Sequence, residues 1–304
     1  MKHLFLLVNS VCDIACKYCF YTTGYEKRSR NRIRPEQAAH IAGRIVEVDF
    51  HTVILTGGDP LHSKFKHETY VLIRELKLRE RRVVINTSAA SLNNTDLDTI
   101  VALGVDRVDV SIDSHLAHIH DAQRGKHTDA VRAIAGLIER GYRTIATTTV
   151  VTEANASTLA ETVRWLHDLG VEDVRIQRAF LPEQQRYGHD LITLGMRQAS
   201  SFLSSAHAPE YIELTEWVFN NKALTCGASC RMGKEYFVCD ATGVLIPCFH
   251  RSDLVLGYLF SDPIEQLKHS LEANALTQHT LPSCFGKHCI SLFDNPRFWK
   301  EESR

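Results

Sequence analysis

The sequence lacks the long apolar runs that mark membrane proteins. No stretch of its 304 residues approaches the about 18 consecutive apolar residues that a membrane-spanning helix needs. The apolar run near the amino terminus is broken by Asn9, Ser10 and Asp13, so a secretory signal is not supported either. We therefore expect a soluble cytoplasmic protein that has no membrane partner.

The chain also lacks an excess of charge of either sign. Its formal net charge is −1, so no field over the whole molecule favours nucleic acid or a membrane surface. The one basic cluster lies at 27–34 and is interpreted as a solvated loop, with contact to an anionic group or shielding of a cofactor as the alternative. We find no internal repeat beyond the β/α unit described below and no low-complexity segment.

Cysteine, in contrast, is abundant. Nine cysteines in a reducing compartment are better explained by metal clusters than by disulfides, and the odd count agrees with this. Three of them, Cys12, Cys16 and Cys19, directly follow the apolar run 4–8. Three thiolates at this spacing can bind three irons of one 4Fe-4S cluster and leave the fourth iron open, whereas a structural zinc site normally has four protein ligands. The alternatives are a zinc knuckle, a redox pair or unrelated buried cysteines.

Apolar, strand-like runs alternate with amphipathic segments of helical length through the first 180 residues. Six β/α units in succession imply a parallel sheet with right-handed crossovers, and the incomplete count predicts an α/β fold with an open, TIM-like partial (β/α)6 barrel. In such a barrel the chemistry lies at the carboxyl ends of the strands, where the cysteines and the other polar motifs fall. The predicted strands are 3–8, 51–55, 82–86, 105–110, 143–150 and 172–177, and the predicted helices are 35–48, 66–80, 94–103, 127–140 and 155–169.

The pattern divides the chain into three parts. Residues 1–180 form the predicted barrel, and 181–220, interrupted by proline and glycine, form a connector with one helix near 195–206. Residues 221–304 form a small domain with the six remaining cysteines. Within it, the turn Ala241-Thr242-Gly243 between two apolar runs predicts a β-hairpin.

The first cysteine motif, C-x3-C-x2-C with the aromatic Tyr18 before the third cysteine, resembles the signature of the radical S-adenosylmethionine (SAM) superfamily. In that superfamily the open iron chelates the amino and carboxylate groups of SAM, and an electron from the cluster cleaves SAM to a 5'-deoxyadenosyl radical. The resemblance implies SAM as cofactor, a SAM-binding 4Fe-4S cluster on Cys12, Cys16 and Cys19, and an electron donor such as flavodoxin or ferredoxin.

Further segments resemble the SAM site of the family. Gly57-Gly58-Asp59-Pro60 is similar to the G-G-E-P motif that binds the SAM amino group, with aspartate in place of glutamate. Its glycines would let the backbone approach a ligand closely. Arg124 resembles the arginine that pairs with the SAM carboxylate, and a surface ion pair with Asp113 is the alternative. The cofactor contacts implied by the resemblance are Tyr18, Gly57, Gly58, Asp59, Pro60, Ser88, Ser111, Asp113 and Arg124. Three nearby histidines match no zinc-ligand spacing and are predicted to be surface polar residues: His115, His118 and His120.

The C-terminal cysteines resemble the SPASM or shorter twitch extension of the same superfamily, which carries auxiliary 4Fe-4S clusters. Cys230, Gly243 and Cys248 fit its C-x12-G-x4-C segment, and six thiols suffice for one fully ligated cluster but not for two. We expect one auxiliary 4Fe-4S cluster, with a zinc ribbon as the alternative. One self-consistent ligand set is Cys226, Cys230, Cys284 and Cys289, while the hairpin motif favours Cys230 and Cys248 with the last pair.

A cysteine outside the clusters could return a hydrogen atom to a carbon radical, as in epimerases of this superfamily. Cys248 is the preferred donor and Cys239, on the facing strand, is the alternative. The sequence looks most like the aminoglycoside epimerases of the neomycin C type. This resemblance implies inversion of a C–H stereocentre of an aminosugar during antibiotic biosynthesis. Acids available for a polycationic substrate are Glu210, Glu213, Glu216, Asp240 and Asp253.

Two other enzymatic functions stay open. One is a radical SAM alcohol dehydrogenase of an aminocyclitol, and the other is a peptide epimerase or maturase. Strand one begins at residue 3, and we take this as an argument against many peptide maturases, which carry an amino-terminal recognition domain. A non-catalytic iron-sulfur regulator would leave the glycine motif and Arg124 unexplained.

Overall fold

The computed structural model describes residues 1–19, 31–178, 232–249 and 251–277. The strands of this part are β1 (Lys2–Asn9), β2 (Phe50–Gly57), β3 (Arg82–Thr87), β4 (Arg107–Ser111), β5 (Ile145–Val151), β6 (Asp173–Arg178), β7 (Tyr236–Cys239), β8 (Val244–Ile246) and β9 (Gly257–Tyr258). The α-helices are α1 (Ala38–Glu47), α2 (Lys66–Lys77), α3 (Asn94–Ala102), α4 (Ala117–Gln123), α5 (His127–Glu139), α6 (Leu159–Asp168) and α7 (Ile264–Thr277), with 3-10 turns at Pro35–Gln37 and Ala156–Thr158. No helix in these ranges is both long and apolar enough to span a bilayer.

All nine strands belong to one sheet of spatial order β6-β5-β4-β3-β2-β1-β7-β8-β9. β1 to β6 run parallel, each beside its neighbour in the sequence. Connections between parallel neighbours must cross over, and helices supply these crossovers. In the described residues the two edge strands, β6 and β9, do not pair with each other, so the sheet is open and the predicted open partial barrel is confirmed. The six predicted strands and five predicted helices are present, with ends shifted by a few residues.

The predicted hairpin is also present, and it extends the sheet of the barrel. β7 pairs with the free side of β1 in parallel, from His3 beside Tyr236 to Leu6 beside Cys239. β8 then runs antiparallel to β7, and β9 antiparallel to β8. The chain at the end of β8 has therefore turned back toward the end of the sheet at which β1 begins.

Alternate residues of the strands separate two faces of the sheet. On the outer face, Val83 and Ile85 of β3 pack with α-helical residues such as Ile41 in the main hydrophobic core. On the inner face, Val84 packs in a second cluster together with Leu7, and other members of that cluster come from the hairpin. Burial on both faces makes β1, β2 and β3 near-continuous apolar runs, which is why their positions are readable in the sequence.

Two helices were not expected from the sequence. Helix α4 has only seven residues, A-H-I-H-D-A-Q, which is too short to show a 3.6-residue hydrophobic period. Helix α7 lies in the cysteine-rich part of the chain, and its amphipathic pattern is weak. The predicted connector helix near 195–206 lies outside the described residues. The division of the chain at 180 and 220 stays a prediction.

Candidate active site

The cysteine loop, residues 10–19, leaves β1 at the carboxyl end of the parallel strands. Its middle is held by the Lys17 amide, which donates to the Gln123 carbonyl at 3.0 Å, and by the Cys19 amide, which donates to the Cys16 carbonyl at 3.1 Å. Burial raises the pKa of Cys16, and the nearby guanidinium of Arg124 acts in the opposite direction. The cysteine loop therefore presents its thiols at the carboxyl edge of the sheet, where a parallel barrel is expected to bind ligands.

The donor set of this loop suits an iron-sulfur cluster. Three soft thiols on one short loop are the ligand type of such clusters. Among the described residues, no three Cys, His, Asp or Glu side chains converge on a single metal-ion position. The residues that would hold the cluster are Cys12, Cys16 and Cys19, and this assignment stays a prediction.

Asp13 fixes the cysteine loop to the loops after β2 and β3. Its carboxylate accepts hydrogen bonds from the Ser63 amide at 2.7 Å, the Ser63 hydroxyl at 2.6 Å and the Ser91 hydroxyl at 2.9 Å. The ring of His62 lies 3.4 Å away. Burial acts to raise the pKa of Asp13, but the hydrogen bonds from Ser63 and Ser91 outweigh it and lower the pKa. Asp13 thus acts as an ionised clamp between three loops.

The two glycines after β2 let that loop lie directly against the start of the cysteine loop. The Gly58 amide donates to the Asn9 carbonyl at 3.0 Å, and the Asp59 amide donates to the Val11 carbonyl at 2.7 Å. A Cβ atom on Gly57 would lie 2.3 Å from the Asn9 oxygen, and one on Gly58 would lie 2.0 Å from the Val11 oxygen. The close approach is therefore to the protein's own backbone, whereas the sequence suggested an approach to a ligand.

The Asp59 carboxylate joins this loop to the end of β3. It is 3% exposed. One oxygen accepts from the Leu61 amide at 2.9 Å and the Thr87 hydroxyl at 2.8 Å, and the other accepts from the Ser88 amide at 2.9 Å and from the Ser88 hydroxyl. The carboxylate of the G-G-D-P motif therefore has a positioning role within the protein. Binding of the SAM amino group by this motif stays a prediction, as do the cofactor contacts of Pro60 and Ser88.

Asp113 and Arg124 form a buried ion pair beneath the cysteine loop. The guanidinium donates to both carboxylate oxygens, each at 3.1 Å, and the Tyr18 hydroxyl donates to the same carboxylate. Arg124 also lies over the Tyr18 ring, with 5.4 Å from its guanidinium carbon to the ring centroid, and Nη1 lies 3.9 Å from the Cys16 Sγ. The alternative of an ion pair is therefore confirmed, but its surface location is wrong because Asp113 is fully buried. Contacts of Ser111, Asp113 and Arg124 with SAM stay predictions.

His120 supports this pair from α4. The Asp113 amide donates to Nδ1 at 3.1 Å, so the ring proton lies on Nε2, which is 3.0 Å from the Gly125 carbonyl. The side chain is buried, so the prediction of a surface residue is wrong for His120, while His118 is exposed as predicted. The short helix turns one histidine inward and the other outward. Burial lowers the pKa of His120.

A network of charged side chains lies on the inner face of β4 to β6. Arg107 and Arg175 both bind the Asp173 carboxylate, the latter at 3.3 Å. The same two guanidinium groups lie 3.7 and 3.4 Å from the Asp109 carboxylate. The Thr148 hydroxyl donates to the other Asp109 oxygen at 2.7 Å. Within the part of the chain that the structure describes, two arginines and two aspartates therefore balance one another's charge on the inner face.

This network was missed at the level of sequence, although a signal was present. Residues 107–111 read R-V-D-V-S and residues 173–177 read D-V-R-I-Q. Charged and apolar residues alternate there, whereas strands of a parallel sheet covered on both faces are usually apolar throughout. The alternation indicates that one face of β4 and β6 borders a polar interior.

The two hairpin cysteines lie on opposite faces of the sheet. Cys239 pairs in register with Leu6 and packs with it in the core between sheet and helices, where burial raises its pKa. Cys248 packs with Ile246 and Phe249 in the inner-face cluster and is 6% exposed. Of the two, Cys248 therefore borders the interior of the barrel.

Several predicted site residues lie outside the described part of the chain. These are the proposed auxiliary-cluster ligands Cys226, Cys230, Cys284 and Cys289 and the acids Glu210, Glu213 and Glu216. The other two acids have local partners. Asp240 accepts hydrogen bonds from Thr242 and Val244 in the hairpin turn, and Asp253 pairs with Arg251.

Comparison with known proteins identifies the class. The sequence profile of the radical SAM superfamily matches residues 6–166, more than half of the chain. The protein therefore belongs to the radical SAM superfamily, and the family implies SAM and a 4Fe-4S cluster. The matched range contains the three cysteines of the loop, the glycine motif and the buried ion pair.

Three curated relatives show how far the similarity extends. A probable GTP 3',8-cyclase from Sulfurisphaera tokodaii is 27% identical over 183 residues, which are 58% of this chain and 55% of that protein. Pre-heme d1 synthase from Dinoroseobacter shibae is 26% identical over 53% of this chain and 39% of its own length. A probable GTP 3',8-cyclase from Metallosphaera sedula is 23% identical and covers 90% of this chain and 91% of itself. The chain thus spans about half or less of the first two proteins and nearly all of the third.

A solved structure supports the fold. The structure of anSMEcpe with bound AdoMet has a TM-score of 0.71 and 16% sequence identity, covering 92% of this chain and 84% of that one. At this identity the likeness concerns the fold.

The docking of the two loops predicts opposite effects for two glycine substitutions. Gly58→Ala should destabilise the fold by about 1–3 kcal/mol or more, because the new methyl group meets backbone that cannot move aside. Gly43→Ala is the matched control, since nothing lies within 4 Å of its Cβ position in α1. It should stabilise the protein by about 0.5–1 kcal/mol. Urea unfolding measures both, and equal effects would contradict the docking.

The Asp13 clamp predicts that the cysteine loop loses its position when the carboxylate is removed. Asp13→Ala should lower the free energy of unfolding by about 2 kcal/mol, because hydrogen bonds to an ionised group are lost. It should also lower the iron retained per chain after anaerobic reconstitution. Asp98→Ala removes an exposed partner of Arg140 and should cost less than about 1 kcal/mol with no loss of iron. An Asp13→Ala protein with full iron content would refute the clamp.

The buried ring of His120 predicts a pH dependence of stability. Its pKa is lowered in the folded protein, so the unfolded chain takes up the proton first as the pH falls below about 6.5. The free energy of unfolding should therefore decrease from about pH 7.5 to about pH 5.5. His120→Asn keeps an acceptor for the Asp113 amide but does not titrate, and it should lose less over this interval. His118→Asn, on the exposed side of α4, should follow the wild-type curve.

Proposed function

We propose that the protein is a radical SAM epimerase that inverts a C–H stereocentre of an aminosugar in an aminoglycoside, with Cys248 as the hydrogen-atom donor. The observation that carries the proposal is the position of Cys248 on the inner face of the sheet, with Cys239 on the outer face. A donor must reach a substrate in the interior. The aminosugar as substrate rests on the sequence resemblance.

The placement of the two groups is the support for inversion within this proposal. When bound, SAM and the cluster supply the hydrogen-abstracting 5'-deoxyadenosyl radical. The cysteine loop lies at the carboxyl ends of β1 to β6, whereas β8 runs antiparallel and carries the chain toward the opposite end before Cys248. A substrate between the two has one side toward the cysteine loop and the other toward Cys248. Removal of hydrogen from one side and return from the other inverts the carbon.

The balance of the donor step needs an external reductant. The hydrogen atom of the broken substrate C–H bond would pass to the 5'-deoxyadenosyl radical, giving 5'-deoxyadenosine and a carbon radical on the substrate. The Cys248 S–H bond then breaks to form the new C–H bond. The remaining thiyl radical is restored to the thiol by one electron and one proton. The proposed electron source is a small redox protein such as flavodoxin or ferredoxin. The substrate itself is neither oxidised nor reduced.

The proposal assigns the remaining cysteines to an auxiliary 4Fe-4S cluster. Its ligands would be Cys226, Cys230, Cys284 and Cys289, which leaves Cys248 outside the cluster. Four thiolates close the coordination of such a cluster. The similar proteins are named as a cyclase and a synthase, so their names point to different reactions. The similarity therefore supports radical chemistry in general and no particular reaction.

The epimerase proposal predicts solvent-derived hydrogen at the inverted carbon. Reaction of the reduced protein with SAM and neomycin C in D2O should add one deuterium without any other change in mass, because the Cys248 thiol exchanges with solvent. Cys248→Ala should still form 5'-deoxyadenosine but release no epimer. Cys239→Ala should leave turnover largely intact, because that side chain packs on the outer face. Mass spectrometry and chiral analysis of the product measure these outcomes.

Two controls separate the alternatives. A variant with alanine at Cys12, Cys16 and Cys19 should form no 5'-deoxyadenosine and should keep about four irons per chain on the auxiliary site. Loss of the auxiliary iron from Cys248→Ala would identify Cys248 as a cluster ligand. A product two hydrogens lighter would replace the epimerase with a dehydrogenase.

A further inference from the structure

Two side chains of the inner face meet across β3 and β4. Asn86 pairs in register with Asp109. Each alternates with residues that pack on the helix side, such as Ile85 and Val110, so both side chains point to the interior of the barrel. In-register residues of neighbouring strands lie about 5 Å apart. Their oxygens can therefore act on one ligand.

Both side chains keep an oxygen that lacks a hydrogen bond. Within the described ranges, Asn86 Oδ1 and Asp109 Oδ2 are buried atoms with no donor. The Asp109 residue is 2% exposed, and its other oxygen already accepts from Thr148. The guanidinium groups of Arg175 and Arg107, 3.4 and 3.7 Å away, give charge balance without a hydrogen bond. Buried acceptors are normally satisfied, so two adjacent exceptions indicate a missing donor.

The charge of the surroundings selects the kind of donor. Among the described residues, the positive charges of Arg107 and Arg175 balance the negative charges of Asp109 and Asp173. An ammonium group would bring an uncompensated positive charge beside two guanidinium groups, which is unfavourable in a buried site. A hydroxyl group donates a hydrogen bond and adds no charge. The site therefore favours hydroxyl groups over amines.

The neighbouring strands supply an apolar wall. Phe5 and Phe249 lie edge to face at 5.3 Å, and Ile54 belongs to the same inner-face cluster. The interior is polar beside β3 and β4 and apolar beside β1 and the hairpin. A ring with hydroxyl groups on its edge and C–H bonds on its face matches both surfaces. Aromatic side chains pack well on such carbon faces.

We propose that Asn86 and Asp109 bind two neighbouring hydroxyl groups of a cyclic polyol, each accepting one hydrogen bond from the substrate. The inference rests on the proposed function for the reaction and deepens it. It places hydroxyl groups of the sugar, and not its amines, against β3 and β4. Asn86 and Asp109 are then binding residues that orient the ring between the cysteine loop and Cys248.

Binding of small ring compounds to the full-length, reconstituted protein tests the site without turnover. The probes are 1,2-cyclohexanediol, cyclohexanol and trans-2-aminocyclohexanol, followed by saturation-transfer NMR titrations. Wild type should bind the diol more tightly than either other compound. Asn86→Leu should weaken diol binding about tenfold or more, because one buried acceptor is lost. Asn94→Leu, at the exposed start of α3, is the matched control and should bind the diol like wild type.

A second variant keeps the test decisive if Asn86→Leu folds poorly. Asn86→Asp retains an acceptor oxygen and gives the interior one net negative charge, so it should reverse the preference and bind the amino alcohol more tightly than the diol. Misfolding cannot produce such a reversal. A wild type that binds the diol no better than cyclohexanol, or an Asn86→Asp protein with unchanged preference, overturns the proposal.

The outcome of these binding experiments is independent of the deuterium experiment described under the proposed function. If no aminoglycoside is epimerised but the diol preference and its reversal are observed, the hydroxyl site stands and the proposed reaction falls. If an aminoglycoside is epimerised while wild type shows no diol preference, the reaction stands and this site falls.

Discussion

The Asp113 carboxylate is the interaction on which the site depends. It holds the Arg124 guanidinium in a bidentate pair, receives the Tyr18 hydroxyl from the cysteine loop, and accepts the Val150 amide of β5 at 3.0 Å. Its own backbone is held by His120 on one side and by Asn155 on the other. One buried anion thereby joins the cysteine loop, β4, β5 and α4. An unpaired charge at this depth would be very unfavourable, so the parts that surround it are organised together.

The sequence predicts what depends on local pattern. β1, β2 and β3 are readable because burial on both faces makes each a largely apolar run, as in 53–55, whereas β4 and β6 are readable from their alternation of polar and apolar residues. The cysteine spacing and the glycine pair are readable because both are contiguous. Asp13 is not readable in this way, since its partners Ser63 and Ser91 lie 50 and 78 residues further along the chain. Its role depends on how the loops meet, which no local window contains.

The two faces of the sheet also show, for single residues, that a position in the fold depends on partners outside the local sequence. Register distinguishes the two possible hydrogen donors of the hairpin: Cys239 is placed by its pairing with Leu6, while Cys248 follows a turn and an antiparallel strand. A sequence shows which residues of a strand share a face, because side chains alternate. Which of the two faces points to the interior is known only once the neighbouring strand is known. The polar inner face of β4 and β6 had the clearer signal, because charged residues alternate with apolar ones along both strands.

The clamp made by Asp13 has a consequence for protein engineering. The cysteine loop is held by Ser63 and Ser91, which belong to two other loops of the barrel. A cysteine loop moved by itself into another barrel of the superfamily would leave its anchors behind and arrive with an ionised side chain that has no partners. The transferable unit is therefore the set of three loops, which are separate in the chain but form one piece in space.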